Sequence, residues 1–239
     1  MAKGAAIAVL AALAVAAQVA LYCVRPAVSP MAAEGVFAAL GGLRSIISEV
    51  VWFRADRLQE EGRYVELAQL ARALALAEPH NPEIWSYAAW NLAYNVSVMM
   101  PSHEDRWRWV NAGISLLRDE ALKYNPASAD IFRDLAWMFE LKVGAGIDSA
   151  SPTYRRLWRE TVDDVAARGA WHELGMDESV MEEAERLFGV RDRGDAQYSA
   201  IYWAFRGLAH AKGRNARLLR EIIRQARMIY DRSRGPAET

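Results

Sequence analysis

The chain has 239 residues and a mass of 26.7 kDa, enough for one or two domains with a hydrophobic core. An apolar share of 53 % with 25 % charged residues excludes both a disordered chain and a polytopic membrane protein. A single cysteine, Cys23, excludes a disulfide framework and a cysteine-based zinc site, and the net charge of −1 conceals opposite charges grouped in separate blocks.

The first element in the chain is an apolar run, Ala5 to Val24, uncharged and interrupted only by the polar Gln18. Twenty helical residues rise about 30 Å, the thickness of a bilayer core, so this segment is expected to be a transmembrane helix. Arg25 and Pro26 end it. A cleaved signal is the other reading, with Ala14, Val15 and Ala16 as an A-x-A site. Lys3 on one side and Arg25 on the other lean towards a cytoplasmic N-terminus with the body outside the cytoplasm.

Helices are expected near 5–24, 32–61, 64–78, 83–99, 103–123, 129–143, 153–168, 178–188, 196–212 and 216–233. No sustained alternation or hairpin turn of the strand kind interrupts them. Asn81 before Pro82 and Ser151 before Pro152 read as caps followed by a first-turn proline. Ser102 with Asp105 reads as a capping box, and Asn215 as the cap of the last helix. The expected organisation is an anchor or signal at 1–27, a linker and entry helix at 28–48, a hairpin array at 49–143 and a C-terminal helical region at 144–239.

The array shows an internal period. Ala55, Leu58, Gly62, Tyr64, Leu67, Leu70, Ala71, Leu74, Pro79 and Pro82 trace two helices joined by a glycine turn and closed by proline. Trp85, Ala88, Ala89 and Leu92 repeat the positions of Val51, Arg54, Ala55 and Leu58 at a distance of 34 residues. Phe132, Leu135, Ala136 and Phe139 open a third unit with the same spacing, and Trp203, Arg206, Gly207 and His210 a degenerate fourth. This pattern resembles the tetratricopeptide repeat (TPR). Pro126 lies 47 residues after Pro79, so the second unit is lengthened by about 13 residues, around 99–101. Arg54 stands where the family has an apolar residue, and Leu67 and Leu74 where it has alanine, which implies a wider hairpin. The stretches 55–64 and 90–96 also resemble uncharacterised bacterial membrane-anchored TPR-like proteins. The fold class is accordingly all-α: a TPR-like helical-hairpin solenoid with an N-terminal transmembrane helix.

The resemblance implies binding through the first helices of the units. Tyr87, Asn91 and Asn95 would line that surface, the two amides clamping an extended peptide backbone, while Trp107 and Trp109 lie in the lengthened hairpin. The alternative for the aromatics is inter-helix core. Nine acids and one base occupy 160–185, whereas Arg217, Arg220, Arg224 and Arg227 form a stripe on the last helix. That stripe is either a solvated face balanced by the acidic block or a contact for an acidic partner or anionic lipid. Near-neutral charge and the lack of a nucleic-acid motif argue against nucleic acid.

His80, His103, His172 and His210 lack metal-ligand spacing, and no nucleophile, Walker or dinucleotide motif occurs, so no catalytic residue, cofactor or metal is expected. The expected function is a membrane-anchored scaffold for protein–protein interaction in an envelope or secretion-type assembly. The alternatives are an accessory subunit whose Ala12, Ala16 and Ala20 pack on other membrane helices, or an enzyme or enzyme-regulatory subunit with a site in the aromatic groove.

Overall fold

The computed structural model describes residues 53–55 and 57–234. The expected membrane segment at 5–24 and the entry region up to 52 lie outside the described residues. Among the described residues all regular structure is helical, and no helix is long and apolar enough to cross a membrane. The chain divides into two compact units after Pro79.

In the first unit, helical residues up to 60 turn at Gly62, whose φ of 70° only glycine adopts without strain. Gly62 N–H donates to the Gln59 carbonyl (3.1 Å) and Arg63 N–H to the Leu58 carbonyl (2.9 Å), the paired bonds of a Schellman motif. Helix α1 (Tyr64–Ala77) follows at once and buries Leu67, Ala68, Ala71, Leu74 and Ala75, an amphipathic face in helical spacing. The glycine turn and the second helix match the sequence expectation.

In the second unit, α2 (82–99) starts at Pro82, with Asn81 Oδ1 accepting from Glu83 N–H at 3.2 Å. Helix α3 (103–124) starts behind Ser102, whose Oγ accepts from Asp105 N–H (3.0 Å) and donates to the Asp105 carboxylate (2.7 Å). Helix α4 (129–144) follows the cap Ser128. Each of these three helices contains one wider π segment: Asn91–Val96, Leu116–Ala121 and Met138–Gly144. A π segment is how a helix absorbs an extra residue without breaking. Helices α5 (Ser151–Arg168), α6 (Glu178–Phe188), α7 (Ala196–Leu208) and α8 (Gly213–Ser233) complete the unit.

Two expected caps are corrected. Ser151 does not cap α5: its Oγ donates to the Lys142 carbonyl (3.3 Å), and Ala150 precedes the helix. Asn215 sits inside the first turn of α8, which starts at Gly213. There it donates to Asp130 (3.1 Å) and accepts from Arg133 (2.9 Å). In both cases a tertiary partner outcompetes the local cap.

Helices α2 and α3 form an antiparallel pair so close that a Cβ on Gly113 would stand 2.7 Å from the Ala89 carbonyl oxygen. Helix α4 packs on both and runs parallel to α2. The antiparallel partner of α4 is α7, not the next helix in the chain. The Phe132 end of α4 meets Gly207, and Gln197 Nε2 donates to the Glu140 carbonyl (3.1 Å) at the other end. Helix α8 turns back beside α7 and parallel to α4. Thus α2, α4 and α8 run one way while α3 and α7 run the other. Residues 145–195, carrying α5, a 3₁₀ turn at Trp171–Leu174 and α6, are inserted between α4 and its partner. The core is aromatic, with Trp85, Phe132, Phe139, Tyr154, Trp158, Tyr198, Tyr202 and Trp203 almost wholly buried.

Candidate interaction surface

Helix α2 places Trp85, Ala88 and Ala89 inside, which turns Glu83, Trp90 and Val98 outward. Beyond Glu83 these outward positions are not polar. Trp90 is 42 % exposed and stacks on Tyr94 with ring centroids 3.9 Å apart, and Val98 is 50 % exposed. A surface helix ordinarily carries charge here, so an exposed tryptophan stacked on a half-buried tyrosine and continued by valine marks a place for contact. On the adjoining α4, Trp137 and Leu141 are half-buried, and the Arg133 guanidinium lies 5.3 Å from the Trp137 ring.

A buried ionic knot supports this surface from behind. Lys142 Nζ donates to Asp148 Oδ2 at 2.7 Å, and Tyr154 Oη donates to the same oxygen at 3.0 Å. Ala150 N–H donates to Asp148 Oδ1 (3.0 Å), and Arg106 Nη1 lies 3.7 Å from it. Burial alone would raise the Asp148 carboxyl, but these donors, Lys142 foremost, hold it below the usual carboxylate range. The Lys142 ammonium also stands 5.0 Å from the Tyr94 ring centroid, so the knot fixes the base of the exposed stack.

Beside the knot, between α4 and its neighbours, Glu140 is 1 % exposed. Burial first, and the nearby Glu221 second, push its carboxyl up to about 7. Among the described residues neither Glu140 Oε1 nor Gln197 Oε1 has a hydrogen-bond partner. Burial, with Asp134 and Glu140 adding to it, likewise raises the Tyr94 hydroxyl.

The residues named from sequence fall into separate environments. Tyr87 is half-buried on α2. Asn91 is only 2 % exposed, and its Oδ1 accepts from Asn95 Nδ2 at 3.0 Å, so these amides bond each other rather than standing ready to clamp a backbone. Trp107 is buried, its ring 5.8 Å from that of Tyr154, and belongs to the packing of α3 on α5, whereas Trp109 is half-exposed. The surface therefore centres on Trp90, Tyr94 and Trp137, aromatics for which groove and inter-helix core were both open on sequence alone. Their signal was present: Trp90 and Tyr94 are one turn apart and lie off the stripe of Trp85, Ala88 and Ala89.

On α8, Arg224 pairs with Glu221, and Arg227 lies 3.6 Å from Asp231. Arg217 and Arg220 are exposed and have no ion-pair partner among the described residues. The acidic block does not balance the stripe. Asp164 and Glu173 bind Arg168 (2.8 and 2.7 Å), Glu160 binds Arg156 (2.7 Å), and Glu185 binds Arg193 (2.7 Å).

An open cleft of about 400 Å³ lies between α5 and the 191–194 segment and is lined by Asp163, Trp171, Glu178, Asp192 and Arg193. Its charges serve the fold: Asp192 is bidentate to Arg159 (2.9 and 2.8 Å), and Arg193 lies over Trp171. Among the described residues no cluster of histidine, cysteine or carboxylates is arranged to hold a metal. Comparison with protein-family models, curated proteins and solved structures finds no match.

Proposed function

We propose that this chain is a TPR-like helical-hairpin scaffold, tethered by the apolar segment at 5–24, that holds a segment of another protein against α2 and α4. The observation that carries this reading is Trp90, exposed on the outer side of α2 and stacked on the half-buried Tyr94, continued by Val98 and adjoined by Trp137 on α4. Tyrosine and tryptophan dominate binding energy at protein interfaces because each buries a large area at small entropic cost. The parallel course of α2 and α4 supports an elongated ligand, and the ionic knot keeps its seat rigid.

The test is affinity purification of the full chain from mild detergent, comparing wild type with Trp90→Ser and Trp137→Ser. Each substitution is expected to weaken capture by about 2 kcal/mol, roughly thirty-fold, without loss of helicity. An unchanged set of captured proteins would overturn the reading. The tether is tested separately: recovery of the intact chain in a detergent-free extract would refute it.

A further inference from the structure

Charge in the second unit is segregated onto faces that do not meet within one molecule. On α8, Arg217 and Arg220 are exposed and have no ion-pair partner among the described residues, three residues apart and hence neighbours on the helix surface, with Met228 exposed further along. On α6, Glu178 and Glu182, one turn apart, are exposed, and among the described residues neither has an ion-pair partner at bonding distance. Elsewhere in this unit arginines and carboxylates within reach do pair, as Arg159 with Asp192 and Arg168 with Glu173 show. Helices α6 and α8 both pack on α7. Their relative position is fixed where Tyr230 Oη accepts from Arg191 N–H (3.1 Å) and Asp192 N–H (3.0 Å).

We propose that a second copy of this chain covers these faces, α6 of each copy lying on α8 of the other. Because one molecule carries both faces, a two-fold arrangement makes the acidic-to-basic contact twice and closes the assembly as a dimer. The occupant follows from complementarity. The arginine face calls for carboxylates one helical turn apart, and α6 of another copy supplies Glu178 and Glu182. This surface is separate from Trp90 and Trp137, so the dimer stands or falls independently of the protein-holding role.

Sedimentation equilibrium of the full chain, in the mild detergent that keeps it dispersed, tests this at about 50 and about 500 mM salt. Dimers are expected at the lower salt, with dissociation at least about tenfold easier at the higher. Arg217→Glu with Arg220→Glu, and Glu178→Arg with Glu182→Arg, should each sediment as monomers. An equimolar mixture of the two should form a one-to-one complex, and the chain carrying all four reversals should dimerise again. Circular dichroism checks folding, and Arg217→Gln with Arg220→Gln, which weakens association without reversing charge, replaces the first pair if it misfolds. A wild-type monomer at both salts, a dimer indifferent to the arginine substitutions, or a mixture that fails to associate would each overturn the proposal. So would a monomer that instead sediments with phosphatidylserine vesicles, which would make anionic lipid the occupant of the arginine face.

Discussion

Glu140 holds a carboxyl where water barely reaches, and its elevation to about 7 makes it a source of pH dependence in this fold. A folded value above the ordinary 4.5 means that the native state binds the proton more tightly than the unfolded chain. Its contribution to stability is therefore complete below about pH 4.5, declines as pH rises, and is lost above about pH 7. The interval corresponds to about 3 kcal/mol. Glu140→Gln, which cannot ionise, is expected to unfold at higher urea than wild type at about pH 8, by up to about that amount, and to match it near pH 4.5. Equal midpoints at both pH values would show that the folded chain does not raise the Glu140 carboxyl above its ordinary value. The same residue shows a limit of sequence reading. Glu140 follows Phe139 and precedes Leu141 on a plainly amphipathic helix, and nothing local distinguishes it from a solvated glutamate. Its burial comes from α7 and α8, which the chain reaches more than fifty residues later.

At the scale of elements, two glycines set how closely helices approach. Gly207 lies in the last turn of α7, one residue before its end, where helix propensity still favours alanine over glycine. A Cβ there would lie 2.7 Å from Phe132 Cβ and 3.1 Å from Leu219, so the site is reserved for glycine by contact. Gly207→Ala is expected to lower stability by about 1–3 kcal/mol, the reverse of the gain that propensity alone gives. A thermal melt with an unchanged or raised midpoint would refute the close packing of α4 on α7. Helix boundaries were largely legible because caps are local. Asn81 and Ser102 announce α2 and α3 by side chains that bond backbone two or three residues on. Ser151 and Asn215 carry the same local signal yet serve Lys142 and Arg133, groups that sequence proximity does not bring into view. The TPR resemblance implies a peptide-clamping role for Asn91 and Asn95, and their one-turn spacing is also what lets them bond each other.

At the scale of the whole second unit, the spacing of Phe132, Leu135 and Phe139 correctly marks α4 as a helix with a core face, but not which helix covers it. The covering helix, α7, begins only after a fifty-residue insertion, and amphipathic periodicity carries no address. The insertion needs its own fastening, and the Lys142–Asp148 pair provides it at the point where the chain leaves α4. Asp148→Asn removes the counter-charge of a buried ammonium, a change that typically costs about 3–5 kcal/mol. The loss should be concentrated at 145–168, seen as faster amide exchange there than in α7 and α8. Uniform exchange across the unit would contradict this. Lys142→Met combined with Asp148→Leu should recover most of the stability, because the cost lies in the stranded charge rather than in the missing pair.

The three π segments give these helices a kind of reading frame. Each holds one residue more than a straight α-helix needs, and the stretch beyond it is turned by roughly 100° from where an uninterrupted helix would leave it. Deleting one residue within Asn91–Val96 would restore ordinary α-helical bonding locally and leave the frame of everything up to the α2–α3 turn as it is. Val98 would stay on the Trp90 side of the helix, and Ser97, now buried with its Oγ bonded to the Ala93 carbonyl, would stay inside. A deletion in the α-helical part of the same helix would instead rotate all that follows by about 100°, so the π segment is the one place in α2 that can lose a residue without turning its surface.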